Sequence, residues 1–410
     1  MVSNDAVIFG LLMLVLGLVF TTAASDRPGW KRFYSVVPAV LVCYLMPSLL
    51  STFGVIDISE SRLYFVASRY LLPASLVLLT LSIDLKELLK LGPKALIIFL
   101  TGTLGIMLGG PITLLIFSAI PQDIIALPPT EEMWRGLTTV AGSWIGGGAN
   151  QAAMKEVFEV GNDLFAKFVT VDIIVGNIWI GTLLVGVGYN KKINKFLKAD
   201  ESSIVTLKEK MEDFQERVTR LATTKDLMNI LMVGFAATAV GHFLSDIIAP
   251  AIKENFPALE QYSLTSGFFW LVVIATTIGL GLSFTRLRDL EGAGASKVGS
   301  VFVYVLVTTI GMQMDLFAIF ENPGLFLVGI TWMLFHVGLM VLVAWLIKAP
   351  YFFVGVGSTA NVGGAASAPI VAAAFHPSLA PVGVLLAVMG YVVGTYGAYL
   401  CGIMMQAAAQ

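Results

Sequence analysis

Charged residues are scarce in this sequence. Only 13% of the 410 residues are Asp, Glu, Lys or Arg, against about 25% in a typical soluble domain. Disordered chains and nucleic-acid-binding domains depend on abundant charge, so both classes are excluded. The formal net charge of −2 is too small to indicate a charged partner. We therefore expect no nucleic-acid partner.

Residues that ligate metals or form disulfides are also few. The chain has two cysteines and three histidines, which excludes a disulfide-stapled scaffold. Cys43 and Cys401 both lie in apolar stretches, a placement typical of core packing. His242 and Asp246 have the i, i+4 spacing of metal ligands on a helix, but no further ligands lie near them in sequence. The sequence predicts no cofactor and no transition-metal centre.

The sequence is instead rich in long apolar runs. Hydrophobic residues make up 57% of the chain, in runs of about 20, the length that a helix needs to cross a bilayer. They predict an all-α polytopic membrane protein in a lipid bilayer. The first run lacks a basic flank, so we expect no cleavable signal peptide. The apolar segments lie at 6–22, 35–54, 63–82, 95–119, 136–158, 164–188, 226–249, 265–284, 298–314, 325–347, 351–374 and 379–403.

Basic residues predict the orientation of the chain, because loops rich in Lys and Arg stay in the cytoplasm. The loops near residues 30 and 88 are basic and are predicted to be cytoplasmic. The loop near 125 is acidic and is predicted to lie outside, as is the N-terminus. The charged linker 189–225 carries nine basic residues and is predicted to be cytoplasmic. Its part 206–221 is predicted to be either an amphipathic helix or a solvated spacer. The loop near 88 and this linker are both predicted to be cytoplasmic, so the chain must cross the membrane an even number of times between them. Three apolar segments lie between them, so one of the three does not cross fully.

Segment 136–158 is the one predicted not to cross. It contains four glycines within seven residues, Gly142, Gly146, Gly147 and Gly148, and glycine destabilises a helix interior. We predict a re-entrant hairpin or two half-helices. Such a broken backbone is tolerated in a bilayer only where protein or water buries it.

The second half of the chain repeats the pattern of the first. Three pairs of local strings match in the same order: TLSIDL (80–85) with GMQMDL (311–316), GSWIGGGANQAAM (142–154) with GSTANVGGAASAP (357–369), and VGNIWIG (175–181) with VVGTYGA (392–398). Residues 1–188 and 226–410 are therefore predicted to be two membrane repeats joined by the linker 189–225. Five crossings in each repeat would give the two repeats opposite orientations. Inverted repeats with broken helices near the membrane midplane are typical of secondary transporters.

The two glycine-rich segments carry the polar side chains from which a site can be predicted. Breaking a membrane helix frees backbone N–H and C=O groups, which must find partners inside the bilayer. Half-helix N-termini attract anions, and unwound carbonyls suit Na⁺. The alternative is close helix packing through small residues. The candidate solute- and ion-binding residues are Ser143, Asn150 and Gln151 in the first segment and Ser358, Thr359, Asn361 and Ser367 in the second.

Asp172 and Arg69 are ionisable residues inside apolar segments, where such residues are costly and by default functional. Asp172, with Asn177 five residues on, is predicted to bind Na⁺ or to carry a proton. The alternative is a structural hydrogen bond to a freed backbone N–H. Arg69, close to Pro73, is predicted to hold an anionic solute, to balance Asp172 or to snorkel to the outer interface. His336 is a lone polar residue on an apolar helix, and packing is the favoured interpretation.

Together these features resemble a bacterial family of integral membrane proteins, domain-of-unknown-function family number eight-one-nine, over essentially the whole chain. The shared features are the glycine-rich broken segments, the IDL and MDL span ends and the cytoplasmic linker. By similarity, that family belongs to the superfamily of bile-acid/sodium symporters and cation/proton antiporters. The resemblance implies a scaffold domain, a moving core domain, elevator-type alternating access and a homodimer, here in a bacterial inner membrane.

The superfamily has two chemistries. Antiporters place an Asp pair or an Asn–Asp pair on the span after the first broken segment, and of that motif only the Asp of Val171–Asp172 is present here. Symporters bind Na⁺ with side chains such as those at Asn150, Gln151, Ser358, Thr359 and Asn361.

The expected function is therefore ion-coupled secondary active transport of a small anionic organic solute, driven by Na⁺ or H⁺, without enzymatic activity. A monovalent cation/proton antiporter is the main alternative. An intramembrane hydrolase, with Ser143 or Ser358 as nucleophile and His336 as base, and a channel are further alternatives, for which no specific motif is present.

Overall fold

A computed structural model describes residues 1–34, 37–83, 88–89, 91–120, 125–200, 204, 221–314, 322–376 and 379–410. Helices dominate these residues, and the β-structure among them is one isolated bridge between Val2 and Ile56. The expected all-α class is thus confirmed.

The helices begin and end close to the predicted apolar segments. Their bounds are α1 Asp5–Ala23, α2 Pro28–Tyr34, α3 Ala39–Thr52, α4 Leu63–Leu81, α5 Pro93–Ser118, α6 Thr130–Val157, α7 Asn162–Gly188, α8 Asn190–Leu197, α9 Thr224–Asn255, α10 Gly267–Ser283, α11 Ala295–Gly311, α12 Gly324–Leu346, α13 Tyr351–Val362, α14 Gly364–Phe375 and α15 Ala380–Ala409. Two 3₁₀ helices, Pro257–Tyr262 and Arg286–Ala293, follow α9 and α10.

Several of these helices are long and apolar enough to cross a membrane. Within the described ranges there are seven, or nine if each of two bent helix pairs counts as one span. The seven are α1, α4, α5, α7, α9, α12 and α15. The expected multi-pass membrane protein is therefore confirmed.

Helix α6 is folded into a hairpin, as the count of crossings predicts. Its break lies at Gly147, whose φ of 75° and ψ of −175° are open to glycine but strained for other residues. The Nη1 atom of Arg135 in the first arm donates to the carbonyl oxygen of Phe158, just after the second arm, at 3.1 Å. A Cβ on Gly142 would lie 2.6 Å from the carbonyl oxygen of Asn150. Both ends of this first hairpin therefore lie at the same face of the protein.

Helices α13 and α14 form a second hairpin of the same kind. They meet at Gly363 and Gly364, and Gly364 has a φ of 58°. The aromatic rings of Phe352 and Phe375, near the two ends of the hairpin, are 5.3 Å apart between centroids. The second glycine-rich segment therefore also returns to the face from which it starts.

The two hairpins enter the protein from opposite faces. Helix α7 begins at Asn162, just after the first hairpin, and its 27 residues span about 40 Å. Beyond its far end, the Oδ1 atom of Asn194 in α8 accepts a hydrogen bond from the backbone nitrogen of Tyr351 at 2.8 Å. Tyr351 begins the second hairpin, so the bases of the two hairpins are separated by the length of α7.

The helices pack in two groups. The hairpins pack mainly with α5, α7, α12 and α15, and we call this set the hairpin group. Helices α1, α3, α4, α9, α10 and α11 pack mainly with one another and form the flanking group. Polar contacts join the groups, among them one between the hydroxyls of Thr276 in α10 and Thr395 in α15, 3.2 Å apart.

Of the charged linker, residues 189–200, 204 and 221–225 are described. On its entry side, Asp200 accepts a hydrogen bond from the Nζ atom of Lys94 at 3.0 Å, at the base of the second hairpin. The predicted helix over 206–221 lies outside the described residues except at its last position. Asp84 and Asp315 of the IDL and MDL span ends are likewise outside them.

Candidate ion and solute site

The tips of the two hairpins meet at glycine positions on neighbouring helices. A Cβ on Gly390 of α15 would lie 3.0 Å from the carbonyl oxygen of Ile145 in the first hairpin and 3.5 Å from that of Ala360 in the second. On α7, a Cβ on Gly176 would lie 3.2 Å from the side chain of Val362. Because these positions lack side chains, the broken backbone of both hairpins can approach the same point near the middle of the protein.

Asp172 is the carboxylate of this region. It lies on α7 and is 5% exposed. The Nε2 atom of Gln151 in the first hairpin donates to its Oδ2 atom at 2.8 Å, and the hydroxyl of Ser143 also faces this carboxyl group. The indole N–H of Trp144 is directed at the same carboxyl group without meeting hydrogen-bond geometry. Three donor groups of the first hairpin thus surround one buried acceptor.

Asn150 connects the first hairpin to α15. Its Nδ2 atom donates to the carbonyl oxygens of Gly146 and Tyr391, at 2.9 and 3.0 Å. Its Oδ1 atom accepts from the hydroxyl of Thr395 at 2.6 Å. Since both ends of the amide are occupied, Asn150 holds the hairpin tip in position and has little remaining capacity to bind an ion.

Ser358 of the second hairpin lies in a chain of hydrogen bonds. Its hydroxyl accepts from the Nε1 atom of Trp179 at 2.8 Å and lies 2.7 Å from the Nε2 atom of His336. The Nδ1 atom of His336 is 2.9 Å from the carbonyl oxygen of Gly102 and must donate to it. In the neutral ring, Nε2 is then the acceptor and Ser358 the donor. The chain ties α5, α7 and α12 to the second hairpin.

Thr359 and Asn361 also bond inside the protein. The Thr359 hydroxyl donates to the carbonyl oxygen of Gly355, one turn earlier on its own helix, at 2.7 Å. With its nitrogen towards the carbonyls of Phe99 and Gly357, the Asn361 amide oxygen accepts from Thr103 at 3.0 Å. Both residues therefore stabilise the second hairpin.

Two candidates lie away from Asp172 and its donors. Asn177 is exposed, and its Nδ2 atom donates to the carbonyl oxygen of Ile173 on its own helix at 2.7 Å. Ser367 is half-buried on α14, close to the hairpin tip at Gly363. The five-residue separation of Asn177 from Asp172 corresponds to different faces of a helix, which explains why the two side chains do not converge.

Arg69 lies in a π-helical turn, Ala67–Leu71, inside α4. Pro73 lacks an N–H, so the carbonyl oxygen of Arg69, four residues earlier, loses its helical partner. The Nε2 atom of His242 in α9 lies 2.8 Å from that oxygen and replaces the missing donor. This contact gives His242 a structural role. Its i, i+4 spacing from Asp246 is therefore not needed to explain why a histidine stands at this position.

The Arg69 side chain pairs with Glu156 rather than with Asp172. Its Nη1 atom lies 2.7 Å from the Oε2 atom of Glu156, near the end of the first hairpin. Lys155, the residue before Glu156, is also buried. Sequence reasoning missed both residues, because segment 136–158 drew attention for its glycines. An intramembrane ionisable residue is itself a functional signal, and that signal was present at both positions.

A cation site built from several charged ligands is not found at these positions. Among the described residues, no group of three or more His, Cys, Asp or Glu side chains is placed to hold a metal ion. The site is therefore one buried carboxylate, its donors and the main-chain groups of two hairpin tips. Such a site can accept a proton or, with main-chain oxygens, a monovalent cation.

The fold and this site define a multi-pass membrane protein with two buried helical hairpins. A family described as "Protein of unknown function (DUF819)" matches residues 10–408, and the chain belongs to this family. It is also 24% identical over 419 residues to the "Uncharacterized membrane protein YjcL" of Bacillus subtilis (strain 168). That similarity covers 97% of this chain and 96% of the relative.

Proposed function

We propose that the protein is a secondary active transporter of a small anionic organic solute, coupled to H⁺ or Na⁺, in the bacterial inner membrane. The observation that carries this function is the meeting of two hairpin tips, from opposite faces, beside the buried carboxylate of Asp172. A site reached by hairpins from both faces can be opened to one side at a time. That is the requirement of alternating access.

The proposal includes two inverted repeats and an elevator-type motion, and the same geometry supports both. The hairpin bases lie at opposite faces, as inverted repeats of five crossings and one hairpin each would require. The hairpin group is the proposed moving core, and the flanking group is the proposed scaffold, through which the chain would form a homodimer. The contact between Thr276 and Thr395 would then lie on the sliding surface.

H⁺ is the coupling ion that the surroundings of Asp172 favour. Na⁺ prefers oxygen ligands, whereas Gln151 turns its Nε2 atom towards the carboxylate. The hydrogen-bond donors of the first hairpin stabilise the charged form of Asp172. Protonation of Asp172 would weaken these hydrogen bonds. A proton could thereby change how tightly α7 binds the first hairpin. For the Gln151 side chain to serve as a ligand of Na⁺, its amide would have to rotate so that its oxygen faces the ion.

A screen for stabilising ligands tests this function. The purified protein is heated with a set of organic anions, with and without Na⁺ and at two pH values. A transporter of organic solutes is expected to melt at a higher temperature with at least one solute. If the solute acts only with Na⁺ present, Na⁺ is the coupling ion, and if it acts only at low pH, H⁺ is. Failure of every organic solute would contradict the proposal.

A monovalent cation/proton antiporter is the second candidate, because Asp172 lies on the span that follows the first hairpin. In proteoliposomes, collapse of a pH gradient on addition of Na⁺ or K⁺, abolished by Asp172→Asn, would favour it. Val171 stands where the superfamily's antiporters carry a second polar residue, so organic solute transport remains the leading proposal.

The proposed function includes no enzymatic activity and no cofactor. His336 and Ser358 are in contact, as a hydrolase would require, but both are fully buried. The Nδ1 atom of His336 faces a backbone carbonyl rather than a carboxylate, and Trp179 donates to the Ser358 oxygen. The hydrogen bonds of His336 and Ser358 are therefore those of side chains that hold packed helices together.

A further inference from the structure

Four side chains form a polar cluster where the first hairpin meets α4. Arg69 donates to the Oε2 atom of Glu156 at 2.7 Å, and the Tyr64 hydroxyl donates to the Oε1 atom of the same carboxylate. The Nζ atom of Lys155 donates to the Tyr64 hydroxyl at 2.8 Å and lies 3.5 Å from the Oε1 atom of Glu156. We call these residues the basic cluster. It joins the hairpin group to the flanking group near the base of the first hairpin.

The basic cluster has more positive than negative charge. Arg69 and Lys155 share the single carboxylate of Glu156. In the described part of the chain no second acid forms a salt bridge with either cation, although the exposed Glu159 lies near enough for its charge to act on Glu156. The Lys155 side chain is 6% exposed and that of Glu156 is 12% exposed. A buried charge is costly unless it is paired. The surplus positive charge therefore favours binding of an anion from solution.

Donor groups remain available for that anion. An ammonium has three donors and a guanidinium has five. Lys155 uses its ammonium on Tyr64 and Glu156, and Arg69 uses its Nη1 atom on Glu156 and Ser68. The guanidinium of Arg69 stacks on the ring of Phe268 at 4.4 Å, which holds its plane in position. Its side chain is 30% exposed, so part of the guanidinium is not covered by the protein.

The basic cluster is continuous with the site at Asp172. Lys155 lies four residues after Gln151 on the same hairpin arm, so the two side chains are one turn apart on one face. The Gln151 side chain bonds to Asp172, and the Lys155 ammonium lies 5.8 Å from the ring of Phe165, two turns before Asp172 on α7. Lys155 and Asp172 therefore line the same seam between the first hairpin and α7, and Arg69 joins it through Glu156.

We propose that Lys155 and Arg69 bind a carboxylate group of the transported solute, and that this cluster selects solutes that carry one. The inference rests on the proposed function, because it assigns the anionic group of the same solute to a particular place. A lipid phosphate at the membrane surface offers similar oxyanion chemistry. The burial of Lys155 inside the seam favours a soluble solute over a lipid headgroup.

Binding of carboxylates to the purified protein tests this assignment. The melting temperature is measured in detergent with acetate, succinate or benzoate and with the corresponding neutral amides, at constant ionic strength. At least one carboxylate is expected to stabilise the wild-type protein more than its amide does. Lys155→Gln is expected to weaken the binding of that carboxylate about tenfold or more, the size expected for the loss of one charge-assisted hydrogen bond. Lys155→Arg should retain the effect, and so should the control Lys94→Gln at the base of the second hairpin.

Changing the cluster's charge in both directions separates recognition from a structural role. Arg69→Gln removes the surplus positive charge and should abolish the stabilisation, which also covers the case in which Lys155→Gln does not fold. Glu156→Gln removes the competing carboxylate and should tighten binding of the same anion. If the ion pair were purely structural, both variants would be less stable than the wild-type protein. The affinity for the carboxylate would then not fall in one variant and rise in the other.

Three results would overturn the assignment. The first is equal stabilisation by carboxylates and amides. The second is an unchanged carboxylate effect in Lys155→Gln and Arg69→Gln. The third is a Lys155-dependent stabilisation by phosphatidylglycerol added to the detergent micelles where no soluble carboxylate acts. Because the measurement uses no ion gradient, it is independent of transport. Carboxylate binding without gradient-driven uptake would contradict the proposed function while leaving this site intact.

Discussion

Replacing Asp172 with asparagine is expected to abolish gradient-driven uptake while leaving the protein folded. Asparagine has nearly the same shape and keeps a side-chain oxygen for the Nε2 atom of Gln151, which now lies 2.8 Å from the Asp172 carboxylate. It cannot take up a proton or carry the negative charge that would bind Na⁺. The variant should therefore lose coupling and keep its structure.

The size of this effect follows from the driving force. A pH gradient of one unit, coupled to one proton per solute, can sustain about a tenfold accumulation of the solute. In proteoliposomes, the Asp172→Asn variant should reach no accumulation above equilibrium, although passive exchange of the solute can persist. Asp163→Asn, an exposed acid in the first turn of the same helix, is the matched control and should behave like the wild type. Full accumulation by Asp172→Asn would remove this residue from the coupling.

Replacing Gly394 with alanine is expected to destabilise the packing of the first hairpin tip against α15. A Cβ at this position of α15 would lie 2.5 Å from the Cα atom of Gly146 and 2.7 Å from the Nδ2 atom of Asn150. The first neighbour is backbone and cannot rotate away, so the hairpin itself must move. Such overpacking costs about 1–3 kcal/mol or more, and the displaced tip should also reduce transport.

Gly397→Ala provides the matched control for that substitution. Gly397 lies one turn further along α15, and a Cβ there would be 3.5 Å from the sulfur of Met107, an ordinary van der Waals contact. Alanine is also favoured over glycine in helices by about 1 kcal/mol. The melting temperature should fall in Gly394→Ala and stay the same or rise in Gly397→Ala. Equal melting of the two variants would show that the hairpin tip is not tightly packed on α15.

The sequence predicted the architecture more successfully than the bonding within it. Apolar runs of about 20 residues have few alternatives to membrane helices. The basic loops required an even number of membrane crossings before the linker, so one segment could not cross fully. The glycines around Gly147 indicated that this segment was 136–158 and predicted a hairpin there. The repeated glycine motif predicted its partner at Gly363 and Gly364. These signals are local or additive along the chain, so they could be read without a structure.

The partners of individual side chains could not be predicted in this way. Asn150 looked like an ion ligand, but its amide is occupied by Gly146, Tyr391 and Thr395. Two of those three groups lie more than 200 positions away in the chain. Asn177 was paired with Asp172 by sequence distance alone, and its side chain is exposed. Tertiary contacts decided the role of each residue.

The charged residues of the first hairpin illustrate the same difficulty. Lys155 and Glu156 look like the polar end of a span, and such residues normally reach the interface. The fold instead places them under α4, against Arg69 and Tyr64. Their position inside segment 136–158 was a local signal of function, but their partners lie on a helix about 90 positions earlier and could not be identified from the sequence.

The most direct measurement of the central claim, alternating access to the hairpin site, is cysteine labelling at Ser367. This half-buried residue lies beside the tip of the second hairpin, and the two native cysteines, Cys43 and Cys401, are buried and can be replaced by alanine. A membrane-impermeant maleimide is applied to right-side-out and to inverted vesicles that contain the Ser367→Cys variant. We predict labelling from both sides, with reversal of the ion gradient increasing it on one side and decreasing it on the other. Labelling from one side only, under every gradient, would contradict alternating access.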